Sequence, residues 1–282
     1  MTYEEFWHPL TGIYDRGETK AVARMVLEVR FHLSMTDILC GKVTQLSAKE
    51  QELLEEMQKR LLCGEPVQYV LGLAEFGPRT FEVAPGVLIP RPETYALCEW
   101  VVASPCLSDA ILDIGTGSGC IACTLAAELP HARVTAWDVS DAALAIARKN
   151  ARRLGVKVRF EKTDILSGGM SLAAHQKESL FSCIVSNPPY ICQREAADME
   201  RQVLDYEPSL ALFVPDDDPL LFYRAIADFA VGALRPQGCL FFEINPLYAR
   251  QIEAMLHAAG FTGIETRRDQ FGRERFTKAI KI

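Results

Sequence analysis

Ala110-Ile111-Leu112-Asp113-Ile114-Gly115-Thr116-Gly117-Ser118-Gly119 is the stretch whose reading decides the fold. Its first half is an apolar, β-rich run broken by one acid, the pattern of a buried strand. Its second half is a G-x-G-x-G turn, and residues 120–128 continue at helical spacing. Strand, glycine turn and helix in that order open an α/β unit in which the backbone of the turn lies open to a ligand. Outward from there the pattern alternates. Residues 133–137 predict a strand, 141–154 a helix, and 157–162 and 180–185 two further strands. Residues 219–234 predict a helix, 239–244 a strand, 247–259 a helix, and two terminal strands follow. Such alternation predicts an α/β fold, a doubly wound and mostly parallel sheet.

Upstream the period changes. Residues 1–73 read as a small helical bundle. Thr2-x-x-Glu5 and Ser47-x-x-Glu50 are capping boxes, and Ser34 with Asp37 caps a short helix between them. Ala21, Val22, Met25, Val26 and Val29 mark the apolar face of another helix. Gly77-Pro78, Pro85-Gly86, Pro90 and Pro92 then crowd together, which predicts a boundary with extended segments and a hairpin over residues 80–83 and 87–89. The expected organisation is a helical domain over residues 1–73, a β-hairpin linker over 74–90 and an α/β domain over 91–282.

Bulk properties narrow the function. The chain has 282 residues, 49% hydrophobic and 24% charged, with a formal net charge of −7. An acidic balance disfavours a broad nucleic-acid interface, which needs a basic face. The N-terminus lacks an apolar signal region, and no apolar run is long enough to span a bilayer, so a cytoplasmic protein without membrane contact is expected. Nine cysteines are scattered without pairing logic, which suits a reducing compartment. Cys120 and Cys123 have the spacing of a redox or metal pair, but no second close pair accompanies them. They read as helix packing, and no metal site is expected.

Chemistry is carried by Asn187-Pro188-Pro189-Tyr190, directly after the apolar strand at 180–185. The carboxyl end of a strand is where an α/β sheet presents its ligands. Two prolines stiffen the loop and remove two N–H donors, leaving the Asn187 side-chain oxygen and the Pro188 carbonyl as acceptors. Two acceptors suit a planar NH2 group, with Tyr190 against its flat face, so an enzyme acting on an amide or amine nitrogen is expected. In the glycine loop, Gly115, Thr116, Gly117, Ser118 and Gly119 are candidate cofactor contacts, and Asn187 of the acceptor loop is another. Asp138 ends the next strand, placed to accept hydrogen bonds from ribose hydroxyls. Asp164 and Ile165 follow the third strand, where adenine would lie. A nicotinamide dinucleotide and S-adenosylmethionine both carry such a ribose. The G-x-G-x-G spacing and the acceptor loop favour S-adenosylmethionine.

With both motifs in hand, the chain resembles the PrmC/HemK family of release factor glutamine methyltransferases. The resemblance extends through Pro66-Val67-Gln68-Tyr69-Val70-Leu71-Gly72 with Phe76, Leu88-Ile89-Pro90-Arg91-Pro92-Glu93-Thr94, Glu207-Pro208 with Ala211-Leu212, and Arg268-Asp269 with Gly272 and Arg275. It implies a Rossmann-like class I methyltransferase domain with a seven-stranded sheet behind a helical domain. It implies S-adenosyl-L-methionine as cofactor and the glutamine side-chain nitrogen of peptide-chain release factors as acceptor. A monomer is expected. Asn187, Pro188, Pro189 and Tyr190 are then the catalytic residues. Tyr95 departs from the family's acid, and the loop 214–219 from a more glycine-rich stretch. The main alternative is an N6-adenine or other exocyclic-amine nucleic-acid methyltransferase, because the acceptor loop also suits a flipped base. A cofactor-binding adaptor without activity is a second alternative, and the glycine spacing disfavours a dehydrogenase.

Overall fold

The computed structural model describes residues 1–105, 109–167 and 181–282. The chain divides into two compact units, Met1–Ala74 with Glu200–Tyr206, and Glu75–Met199 with Glu207–Ile282.

The first unit is helical: α1 (Tyr3–Trp7), α2 (Arg16–Phe31), α3 (Met35–Leu39), α4 (Ala48–Leu62) and α5 (Val67–Leu71). Three of these starts are fixed by reciprocal caps. Thr2, Ser34 and Ser47 accept from the backbone three residues on, and Glu5, Asp37 and Glu50 reach back to the cap N–H. Each pair satisfies donors that a helix start leaves unpaired. Asp15 starts α2 by accepting from Gly17 and Glu18 at 2.7 and 2.9 Å. Phe6, Leu10, Val26, Leu27, Leu54 and Leu61 are fully buried and form the centre of this unit. The expected face of α2 is corrected. Val22 and Val26 are buried, but Ala21, Met25 and Val29 are exposed, and Ala23, Leu27 and Phe31 complete the inner face. The sequence offers two adjacent apolar stripes at helical spacing. The one carrying Leu27 and Phe31 buries more apolar surface.

β1 (Leu73–Phe76) and β2 (Arg79–Glu82) form a two-stranded sheet. The hairpin therefore lies earlier than the expected 80–83 and 87–89. Gly77 reaches φ +56° and Pro78 follows, so the turn sits at these two residues. Val87 and Ile89 are buried outside any strand. The Ile89 N–H donates to the Glu207 carboxylate at 3.0 Å, which takes the place of a ladder bond.

The second unit is built on seven strands: β3 (Ala110–Ile114), β4 (Arg133–Asp138), β5 (Val158–Lys162), β6 (Phe181–Ser186), β9 (Leu234–Glu243), β10 (Phe261–Arg268) and β11 (Glu274–Lys281). Their order is β10-β11-β9-β6-β3-β4-β5. β9, β6, β3, β4 and β5 run parallel, and β11 is antiparallel to both neighbours. Two short strands, β7 (Ile191–Cys192) and β8 (Phe213–Val214), pair separately. The expected strand start at Leu180 lies outside the described residues. β9 begins earlier than the expected residue 239, through an irregular stretch in which Gln237 has φ +64° and the pairing with β6 shifts register.

Side chains alternate across the sheet, so each face has its own core. Ile111, Val185 and Phe241 pack with Leu97 and Val101 of α6 (Pro92–Val102) and Ile121 and Leu125 of α7 (Cys120–Glu128). Leu112, Ile184, Leu240 and Phe242 pack on the other face with Ile226 of α9 (Leu221–Ala233) and Ile252 and Leu256 of α10 (Ala249–Ala258). Burial on both faces explains why these strands read as continuous apolar runs.

Candidate active site

The chain order reverses at β3. β4 and β5 extend the sheet to one side, and β6 returns on the other. The loops leaving β3 and β6 diverge there, which opens a crevice at the carboxyl ends of the strands. A cavity of about 300 Å³ occupies that position. Gly115, Gly117, Asp138, Asp164, Ile165, Asn187, Pro188 and Pro189 line it, so it gathers residues from both sequence motifs.

The glycine loop is stitched to β4. Gly115 and Thr116 both donate their N–H to the Trp137 carbonyl at 2.9 Å. Gly115, Gly117 and Gly119 all have positive φ, so three bulkier residues in this turn would each be strained. Only Gly115 and Gly117 face the cavity. Thr116 is buried and donates to Asp113 at 2.6 Å. Ser118 is buried, and its carbonyl accepts from Asn150 at 2.9 Å. Gly119 lies against α8 (Asp141–Leu154), where an added Cβ would come within 3.0 Å of Ala147. These three hold the loop in shape.

Asp138 ties the loop to the start of α8. Its Oδ2 accepts from the Gly117 N–H at 2.8 Å and its Oδ1 from the Ser140 N–H at 2.9 Å. Burial pushes its carboxyl up from the ordinary range, and the backbone donors from Ser140 and Gly117 pull it back. Each oxygen keeps a lone pair that a ribose hydroxyl can meet. Asp164 accepts from the Leu166 N–H at 2.9 Å and the Ser167 hydroxyl at 2.5 Å, so it also orders its own turn. Beneath the loop, Asp113 is fully buried, and desolvation raises its carboxyl to about 7.

Asn187 follows β6 at the point where Ser186 donates to the Ile114 carbonyl at 2.6 Å. Its Nδ2 donates to Thr94 Oγ1 at 3.2 Å. The Thr94 hydroxyl donates to Glu243 Oε2 at 2.6 Å, and the Tyr190 hydroxyl donates to Glu243 Oε1 at 3.0 Å. Thr94 and Glu243 are buried. Burial pushes Glu243 up, while the Thr94 and Tyr190 hydroxyls and the charge of Arg275 pull it down. Burial and the charge of Glu243 push the Tyr190 phenol up as well. Tyr190 is not among the residues lining the cavity. Its phenol is anchored in the protein, and its carbonyl accepts from Asn245 at 3.1 Å.

Sequence reading singles out neither Thr94 nor Glu243 as a site residue. The signal for Glu243 is an acid inside Phe241-Phe242-Glu243-Ile244, a run that is otherwise apolar. Nor does it single out the cavity's apolar wall, which includes Val87, Leu88, Phe222 and Ile226. That wall is held by Glu207, which accepts from the Ile89 N–H at 3.0 Å and from Arg91 at 2.5 Å. Tyr95 does not enter the cavity. Its ring meets Phe76 edge-on at 5.4 Å. Cys120 and Cys123 are free thiols pushed up to about 12 by burial, so neither is an active nucleophile.

Such a site can hold a small nucleoside compound between glycine loop and apolar wall and present acceptors to a planar NH2 group. Comparisons with known proteins agree with that capacity. Residues 94–205 match the family described as "Methyltransferase small domain", and residues 12–72 match "PrmC N-terminal domain". The release factor glutamine methyltransferase of Bacteroides thetaiotaomicron is 45% identical over 270 residues, covering 96% of this chain and 95% of that protein. The protein of the same name from Flavobacterium psychrophilum is 39% identical over 282 residues, covering 97% and 96%. A solved methyltransferase from Pyrococcus furiosus has a TM-score of 0.54 at 19% identity, covering 80% of this chain and 98% of that one, a likeness of fold.

Proposed function

The chain belongs to the release factor glutamine methyltransferase family, and we propose that it transfers a methyl group from S-adenosyl-L-methionine to the side-chain amide nitrogen, N5, of the glutamine in the GGQ motif of peptide-chain release factors. The observation that carries this reading is one cavity that joins the Gly115–Gly117 turn and Asp138 to the acceptor loop at Asn187 and Pro188.

The residues fit the cofactor by their chemistry. Asp138 has lone pairs for ribose hydroxyls, and Gly115 and Gly117 leave the backbone uncovered. Ile165, Phe222 and Ile226 offer apolar surface, and Asp164 an acceptor for an exocyclic amine. Bound there, S-adenosylmethionine supplies an electrophilic sulfonium methyl. The protein's part is orientation and electrostatics. An amide nitrogen is a poor nucleophile because its lone pair is shared with the carbonyl. Asn187 Oδ1 and the Pro188 carbonyl accept its two N–H groups, which fixes the nitrogen and stabilises positive charge as it develops there. Orientation of this kind contributes about 7–11 kcal/mol in favourable cases, and preorganised acceptors add to it. Neither Asn187 nor Pro188 is a base, so the proton leaves to water.

A single glutamine offers little binding area, whereas stable protein complexes bury about 800 Å² per partner. The helical unit is the remaining surface for gripping a release factor, and we assign it that role. Among the described residues no helix is long and apolar enough to cross a membrane.

Asn187→Ala tests the assignment. It is expected to lower kcat on unmethylated release factor by about 100-fold or more. The melting temperature should stay near wild type. Wild-type turnover in the variant would overturn the role of Asn187.

A further inference from the structure

A side-chain amide has two similar ends, and only one of them serves the chemistry above. Asn187 must turn its oxygen to the substrate. Turned the other way it would offer a donor to an N–H group, a repulsive contact. Something in the protein has to choose.

We propose that Glu243 and Thr94 are positioning residues that set the orientation of the Asn187 amide, with its nitrogen toward Thr94 and its oxygen left for the substrate. The proposal rests on the reading of Asn187 as the acceptor for a substrate amide. A carboxylate accepts hydrogen bonds and donates none, so the Thr94 hydroxyl at 2.6 Å spends its one proton on Glu243 Oε2. Thr94 Oγ1 then has only lone pairs to offer. The group of Asn187 that faces it must be the NH2, as the 3.2 Å contact has it. A donor direction is thus passed from a buried charge through one hydroxyl to the catalytic amide. Tyr190 keeps the other carboxylate oxygen occupied at 3.0 Å, which holds Glu243 from turning. All three residues sit on or beside regular elements. Thr94 is in the first turn of α6, Glu243 ends β9, and Asn187 follows β6 directly. Burial of Thr94 and Glu243 keeps out water that would otherwise satisfy either end of the amide.

The test uses the full-length enzyme with two conservative variants. Thr94→Val keeps the shape and removes the hydroxyl, and Thr94→Ser keeps the hydroxyl. With unmethylated release factor, Thr94→Val is expected to lower kcat by about 10–100-fold. KM and the calorimetric S-adenosylmethionine affinity should change little, and Thr94→Ser should recover most of the rate. Equal losses in Val and Ser, or a loss lying wholly in KM, would overturn the relay. A second readout needs no substrate. The chain has only three asparagines, Asn150, Asn187 and Asn245, so selective 15N labelling gives three side-chain amide signals, with Asn187→Ala assigning the middle one. The Asn187 NH2 protons should be protected from exchange in wild type and Thr94→Ser and lose protection in Thr94→Val. Where Thr94→Val fails to fold, Glu243→Met, which keeps the bulk and removes both acceptors, takes its place in both readouts with the same expectations. Exchange unchanged in the folded variant would overturn the relay. Wild-type enzyme inactive on release factor would instead overturn the function proposed above, and the exchange measurement would still decide the relay.

Discussion

Asp138 combines two duties that usually compete. Its oxygens hold the Gly117 and Ser140 N–H groups, and the same carboxylate borders the cavity. Asp138→Ala is therefore expected to weaken S-adenosylmethionine binding by about 1–3 kcal/mol, the range for loss of a charged hydrogen-bond partner. Titration calorimetry measures it directly, and an unchanged affinity would remove Asp138 from the site. Asp113 makes a different prediction. Burial raises its carboxyl to about 7, above the ordinary 3.8 that the unfolded chain keeps. Below the lower value both states are protonated and Asp113 costs nothing. As pH rises toward the higher value the unfolded chain loses its proton first, and stability drains away at about 1.4 kcal/mol per pH unit. Urea unfolding of Asp113→Asn between pH 5 and 7 should show the variant gaining on wild type as pH rises. A difference independent of pH would mean that Asp113 is ionised in the folded protein.

Elements explain how the surroundings of the site are packed. The hairpin turn at Gly77 is pressed against α6, and an added Cβ there would lie within 2.2–2.5 Å of the Tyr95 ring at a φ of +56°. Gly77→Ala is expected to cost about 1–3 kcal/mol of stability from overpacking, read by chemical denaturation. In a Tyr95→Ala background the loss should shrink, leaving the backbone strain alone. Equal losses in both backgrounds would mean that the ring moves aside freely. The same elements show what a sequence can disclose. Ala110–Ile114, Cys120–Glu128 and Asp141–Leu154 are legible to the residue, because a buried strand, a glycine turn and an amphipathic helix are all local patterns. The hairpin is misplaced because Val87 and Ile89 look like strand, yet their segment is fastened to Glu207, which lies 118 residues beyond Ile89 in the chain. Asn187 is legible from its loop. The Thr94 and Glu243 contacts that orient it span 93 and 149 residues, and no local pattern encodes such a meeting. The α2 face is missed for a related reason, since periodicity marks candidate stripes and packing chooses between them.

For the whole molecule, the proposed function divides the task of a protein methyltransferase between the two units. One holds the small-molecule cavity, and the other is a helical unit with its own core. The net charge of −7 favours a protein acceptor over a nucleic acid, whose binding leans on cationic contacts. Whether the acceptor loop serves a glutamine side chain is decided by methyl transfer from labelled S-adenosylmethionine to unmethylated release factor, duplex DNA and ribosomal RNA in parallel, with the labelled site mapped by mass spectrometry. Label on the release-factor glutamine alone is the predicted result. Label on either nucleic acid, with none on the release factor, would contradict it and make the loop a reader of flipped bases.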